Sequence, residues 1–409
     1  MENKLLIDKH LLLCIDDSLN EELKNNFCGV VFKDKNSYET YKKNPNTRLY
    51  LAGNINKNYE DLDLTNIDEV FVITDLSSNF NLTNYNLITS GQVPLNYNGV
   101  GLFYKDFFDS SVDYFKTLTE NHEFQSLTES NKQGEAYRKG IYLSKVYKDN
   151  NDIRFNLLRC STNLKGPTDN FRKIDHNIVS KVNENVQPFF ENKVELNHVL
   201  AQAYYNKVVT NDKTGTNKER KAKIKEHSDK TKDMPKTGLI AFCSFYKDYQ
   251  NNKFNSDLKI KRSKEDPYDF IYKDCSALTR LRFRLKKEVK DDSLVEKFDV
   301  ILYPNSLFVI SLMTNRLYTH EISPSTLSVS QIPTRMGYVI RCSETEAVFK
   351  DNKTFIINNE GLIELEQPTK EGVDKLKDMY FTENATIEKV FYKGFNFSLN
   401  SGDYLKPLL

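Results

Sequence analysis

The stretch from residue 237 to residue 343 constrains this chain more than any other. TGLIAFCSFYK, ALTRLRFRLKK, FDVILYPNSLFVISLM, RLYTHEI and RMGYVIRCS follow one another with little helical periodicity between them. Apolar and β-branched runs of this length, bounded by polar turns, read as strands. A succession of them without crossover helices fits two antiparallel sheets closing on one core, as in a jelly roll. Within ALTRLRFRLKK, Arg280, Arg282 and Arg284 alternate with Leu281, Phe283 and Leu285. That is the pattern of a strand with one solvated face.

The chain around this stretch is long enough for two or three cores. It has 409 residues, 39% of them hydrophobic, and chains split into separate cores at such lengths. At the start, HLLLCIDD, GVVFK, RLYLAG and EVFVITD read as strands. SLNEELKNNF, with Ser18 as its cap, and NSYETYKKN read as helices between them. This predicts a small α/β domain over residues 1–95. It has no glycine-rich phosphate loop, so no nucleotide site is read there. GVGLFYKDFFDSSVDYFKTLTE predicts one or two helices, RKGIYLSKVY follows, and then comes another helix ending near VNENVQPFFENK. LNHVLAQAYYN predicts a buried strand, which makes His198 a core residue. The fold class expected is α+β: a jelly-roll domain over 96–345, preceded by the small α/β domain and followed by a C-terminal extension over 346–409.

Charge and cysteine usage exclude several classes. A net charge of +1 excludes a globally basic nucleic-acid binder, so any polyanion contact must come from a local patch. One is at hand between Lys207 and Lys225, with Lys213, Lys218, Arg220, Lys221 and Lys223. The six cysteines form no CxxC pair, which argues against a zinc module or a disulfide scaffold. HLLLCI is too short to span a bilayer. The expectation is a soluble, intracellular protein without a membrane partner.

Three separated motifs carry chemistry. In EHSDK, His227 and Asp229 are two apart, so on an extended chain both point to one side. His320 in RLYTHEI offers a second imidazole from a late strand. Two histidines and a carboxylate on one face of an octahedral ion leave three positions open, the facial triad of non-haem Fe(II) oxygenases. Arg335 and Arg341 follow fifteen and twenty-one residues after His320. Their even separation puts both guanidinium groups on one strand face, with Met336, Tyr338 and Ile340 on the other. Arginine grips carboxylates in a two-pronged fork.

The order His-x-Asp, distant His, Arg-x5-Arg resembles the AlkB-like branch of the Fe(II)/2-oxoglutarate-dependent dioxygenases over roughly residues 97–345. NSLFVISLMTNRLYTHEI resembles that family's strand–turn–strand into its second histidine, and LNHVLAQAYYN its strand ending in Asn-x-Tyr. The resemblance implies a double-stranded β-helix (jelly-roll) core with Fe(II) on His227, Asp229 and His320. It implies 2-oxoglutarate with its distal carboxylate on Arg335, helped by Tyr204 and Gln202, the latter standing where the family has asparagine. Arg341 would lie closer to the iron. O2 would be the co-substrate, and the reaction oxidative demethylation or hydroxylation of a modified base in DNA or RNA. Tyr137, Arg138 or Tyr142 would shape the base pocket. Two alternatives stay open: a hydroxylase of a protein or small molecule, and a non-catalytic binding protein that keeps the barrel.

Overall fold

A computed structural model describes residues 5–15, 21–59, 61–81, 85–128, 135–160, 164–211, 215–249 and 253–409. Ser18 and Lys213 lie outside these residues. The chain is mixed α+β, with far more sheet than helix.

At the start, strands Val30–Phe32, His10–Cys14, Thr47–Asn54, Ile67–Ser78 and Asn86–Ile88 lie side by side in that order, all parallel. Short helices Glu21–Asn26, Lys35–Thr40 and Ile55–Asn58 fill the crossovers. Asp34 starts the second, its Oδ1 accepting from the Ser37 N–H at 2.8 Å. Leu11, Leu13, Leu49 and Leu51 pack on one face with Tyr38, Ile55 and Tyr59. Leu12, Cys14, Tyr50 and Ala52 pack on the other, into the main core of the chain. Burial on both faces is why these strands read as unbroken apolar runs. In such sheets a ligand crevice opens where the strand order reverses, here beyond His10–Cys14 and Thr47–Asn54. Tyr59 fills that point: its hydroxyl donates to the Ala52 carbonyl at 2.5 Å and accepts from the Ile15 N–H at 3.2 Å.

Two further sheets face each other. The larger runs Asp169–Asn170, Glu135–Ser144, His198–Tyr204, Arg335–Arg341, Leu239–Tyr246, Ser306–Ser311, Gly101–Tyr104, Leu95–Tyr97. Strand alternation sorts its side chains. Val199, Ala201, Ala203, Met336, Tyr338, Ile340 and Phe245 pack beneath helices Tyr114–Asn121 and Lys173–Val186. Tyr204, Ile240, Phe242, Tyr246 and Phe308 point the other way. There they meet Leu281, Phe283, Val300, Tyr318 and Ile322 of a four-stranded sheet ordered Ile224–His227, Tyr318–Ser323, Arg280–Leu285, Lys297–Ile301. Each such buried side chain contributes about 1.5–3 kcal/mol.

Some expectations need correction. GVGLFY is a strand, Gly101–Tyr104, because it closes onto Ser306–Ser311, and one helix, Tyr114–Asn121, follows it. A helix, Leu312–Leu317, interrupts the expected strand–turn–strand, and its first turn is capped by the Ser311 hydroxyl. The basic segment after Tyr204 forms a hairpin, Lys207–Thr210 with Asn217–Arg220. Residues 346–364 complete a five-stranded sheet with Tyr147–Asp149 and Asp152–Asn156, and helix Lys370–Ala385 follows. None of the described helices is long and apolar enough to cross a membrane.

A candidate metal centre

The inner face of the large sheet has one level without a large apolar side chain. Gly140, Gln202, Gly337, Ser244 and Ser306 stand side by side across five strands. On one side of this level lie Tyr204 and Arg335, in register with each other. Two levels away on the other side lie His198 and Arg341, likewise paired. The two arginines therefore share the inner face, about 20 Å apart along their strand at the usual rise. Met336, Tyr338 and Ile340 fill the opposite core.

The small sheet brings the histidines in from across the core. His227 ends one strand and stands opposite His320 on its neighbour, their ring centroids 4.5 Å apart. Asp229 follows at once, its Oδ1 3.6 Å from His227 Nε2. Donor atoms of His227, Asp229 and His320 all lie within 4.8 Å of one another. The His227 Nδ1–H donates to the Lys225 carbonyl at 2.9 Å, which leaves Nε2 as the free lone pair. His320 is buried between the rings of Phe242 and Phe283. Burial, with His227 beside it, pushes the His320 pKa down to about 3, so at neutral pH its imidazole carries no charge.

Arg341 holds the carboxylate. Its Nε and Nη2 donate to Asp229 Oδ2 at 3.0 and 2.7 Å, which leaves Oδ1 directed at the histidines. Burial alone would raise the Asp229 pKa. The Arg341 guanidinium overrides that and, with the two imidazoles, holds the carboxyl far below the usual range. Two imidazoles and one ionised carboxylate suit a divalent transition metal. His320 Nδ1 is buried without a hydrogen-bond partner, a cost that such a group carries when nothing binds it.

Arg335 is buried to 3% exposure with no carboxylate partner among the described residues. Its guanidinium lies 4.4 Å over the Tyr204 ring, a Ser244 hydroxyl sits 3.5 Å from Nη1, and Nε has no partner. Gly337 makes room for it, since a Cβ there would come within 3.0 Å of Nη1. Tyr204 is itself fixed, its hydroxyl donating to Gln202 Oε1 at 3.0 Å. A small pocket opens beside Arg335 and Tyr204, with Asn206, Ala222, Ile322 and Pro333 around it. A buried cation without a counter-charge is costly, so an anionic group is favoured beside it. The cluster's donors suit a divalent metal, and the arginine suits a carboxylate.

The other candidates divide. Tyr142 is buried, with its hydroxyl 3.1 Å from Cys160 Sγ and its ring edge-on to His198, so it offers no open stacking face. Tyr137 and Arg138 are half-buried beside the hairpin, where Lys207 Nζ lies 4.9 Å over the Tyr137 ring. His198 lies in the core at 1% exposure, as expected for a buried strand. Sequence reasoning missed Asn315, whose Oδ1 accepts from the Asp229 N–H at 2.8 Å while its Nδ2 donates to the Asp229 carbonyl at 2.9 Å. The TNRLYTHEI stretch held that signal: Asn315 precedes His320 by five residues.

No family model and no curated protein matches this sequence. Among solved structures, that of OsALKBH1 is similar over 59% of this chain and 97% of its own, with 12% identity and a TM-score of 0.30. A likeness at that level carries no argument about function.

Proposed function

We propose that this chain is an Fe(II)- and 2-oxoglutarate-dependent dioxygenase of the AlkB-like kind, with a jelly-roll core formed by the two facing sheets. The observation that carries this is a pair of features on the facing sheets. One is the His227–Asp229–His320 cluster, whose donor atoms lie within 4.8 Å of one another. The other is a buried arginine beside a small pocket, without a counter-charge among the described residues. When bound, iron with 2-oxoglutarate and O2 supplies the oxidation that hydroxylates a substrate C–H, leaving succinate and CO2.

The chain's own residues supply geometry. His227, Asp229 and His320 would hold the ion, with Lys225 fixing the His227 tautomer through its carbonyl. Arg341 keeps Asp229 ionised and turned toward the metal. Arg335 would take the distal carboxylate, with Tyr204 beneath the guanidinium and Gln202 holding Tyr204 in place. His227 is the one half-exposed member of the cluster, so the substrate would approach from its side.

For the substrate, the reading is a modified nucleic-acid base. The hairpin next to the Arg335 cavity supports it. Its register puts Lys207, Arg220 and Lys218 on one face, and Asn206 and Ala222 at its base line the cavity. Such a ribbon would hold a phosphate backbone without reading its sequence. Arg280, Arg282 and Arg284 do not add to it, because Asp299, Glu321 and Glu226 pair with them. The division into 1–95, 96–345 and 346–409 belongs to the same proposal.

Succinate release with Fe(II) and 2-oxoglutarate tests the chemistry. Wild-type protein that gives no more than a His227→Ala control overturns it. Formaldehyde from methylated oligonucleotides, compared with methylated peptides, tests the substrate. Release from peptides alone moves the reading to protein hydroxylation.

A further inference from the structure

Asp229 lies on a stretch that has no ladder to hold it. Residues 228–231 leave strand Ile224–His227 and enter neither helix nor strand, so their backbone donors must find side chains. Two of these partners come from the far end of the chain. The Ser228 N–H donates to Asn384 Oδ1 at 2.6 Å. The Thr231 N–H donates to the Glu383 carboxylate at 3.2 and 3.3 Å, and the Thr231 hydroxyl donates to it as well. Between them stands the Asp229 N–H, on Asn315.

The helix end that carries these acceptors is itself fixed. Tyr392 donates its hydroxyl to Glu383 Oε2 at 2.5 Å. Lys286, buried at the end of the strand beside His320's, donates to the carbonyls of Glu383 and Thr386 at 2.8 and 2.9 Å. That satisfies carbonyls a helix end leaves open and places a cation where the helix dipole favours one. The Lys230 ammonium lies 4.2 Å over the Tyr380 ring on the same helix.

We infer that helix Lys370–Ala385 is a positioning element for the metal centre, with Asn384 and Glu383 fixing the backbone on either side of Asp229. Arg341 holds only Oδ2. Asn315 holds the Asp229 backbone itself, and the Ser228 hydroxyl donates to the Tyr318 carbonyl at 3.2 Å. The holds on the flanking N–H groups, at Ser228 and Thr231, are C-terminal and help to set the direction of Oδ1. The inference rests on the metal-site reading. Neither residue touches the ion; both act through Asp229.

The test is a Co(II) titration of the full chain, followed by its visible absorption bands. Removing an outer partner of a metal ligand weakens binding about 10–100-fold, and Asn384→Ala is expected at the lower end because Asn315 and Arg341 remain. The Co(II) bands shift in that variant. Asn384→Asp, whose carboxylate can still accept from the Ser228 N–H, restores both affinity and bands. Lys377→Ala, exposed on the same helix, changes neither. Should Asn384→Ala fail to fold, Tyr392→Phe loosens Glu383 from further out and shows a smaller loss of the same kind. Wild-type affinity and bands in whichever of these two variants folds overturn the inference and leave the metal site standing. A wild-type chain that takes up no Co(II) overturns the metal-site reading, and this inference with it.

Discussion

Replacing Arg335 by methionine is expected to stabilise the metal-free protein and to weaken co-substrate binding, two effects of opposite sign from one change. Arg335 is 3% exposed, has no carboxylate partner among the described residues, and leaves Nε unbonded. An ion buried without a partner costs several kcal/mol. Against this stands the stacking on Tyr204, 4.4 Å away, which contributes about 1–2 kcal/mol. Methionine keeps most of the packing of the side-chain stem, so the net gain is about 1–2 kcal/mol. At about 1.2 °C per kcal/mol for a chain of this size, the midpoint rises by roughly 1–2 °C. In the other direction, losing a two-pronged charged contact to a carboxylate removes about 3 kcal/mol of binding, near 100-fold. The chain has no tryptophan, so scanning calorimetry reads the first effect. Titration calorimetry of 2-oxoglutarate into Mn(II)-loaded protein reads the second. A variant that melts lower than wild type and binds 2-oxoglutarate equally well refutes the reasoning on both counts.

Three further outcomes follow from the structure. Arg341→Leu leaves the Asp229 carboxylate buried and unpaired, a loss of about 3–5 kcal/mol; saturating Mn(II) recovers part of it, so the metal-induced rise in melting midpoint exceeds that of wild type. His122 sits between Asp169 and Asp175, at 2.7 and 2.8 Å. Burial works to lower its pKa, but the two carboxylates prevail and lift it to about 9. Its folded value is thus above the ordinary 6.5, so its stabilisation is complete below that pH and disappears as pH rises through 9; melting midpoints of wild type fall more between pH 7 and 10 than those of His122→Gln. Finally, Lys218→Ser with Arg220→Ser reduces the salt dependence of single-stranded oligonucleotide binding by about 1.4 in log–log slope if each contacts one phosphate; an unchanged slope takes the hairpin out of the nucleic-acid contact.

How much of this was legible depended on sequence distance and on periodicity. Several strands of the two facing sheets were readable because they show period-two burial or a continuous apolar run, as in Leu239–Tyr246 and Arg335–Arg341. The shared face of Arg335 and Arg341 followed from an even separation alone. GVGLFY was misread because its aromatic residues continue into FFDSSVDYF without a turn signal. Leu312–Leu317 was missed because a helix of six residues is too short to show a period. The partners of Asp229 were out of reach for another reason. Arg341 lies 112 residues away and Asn384, hydrogen-bonded to Ser228, 156, and no local pattern records a hydrogen bond closed over such a distance.

Some of the buried polar atoms without partners fall at the motif. His320 Nδ1, Arg335 Nε and Arg341 Nη1 are among them, with His198 Nδ1 beside Arg341. Elsewhere several buried charges are met at considerable length, although both nitrogens of the buried His10 also lack partners. Arg159 makes paired bonds to Asp233 and reaches the carbonyls of Phe395 and Phe397. His122 engages a carboxylate with each nitrogen, and Tyr338 donates to Asp175 from the opposite face of the site's own strand. A sequence that satisfies buried charge so fully on one face of Arg335–Arg341, and leaves it open on the other, carries the cost where a bound group can repay it. A polar network of the chain's own closed over Arg335 and His320 would make their surroundings ordinary core instead, and neither Arg335 Nε nor His320 Nδ1 has such a partner.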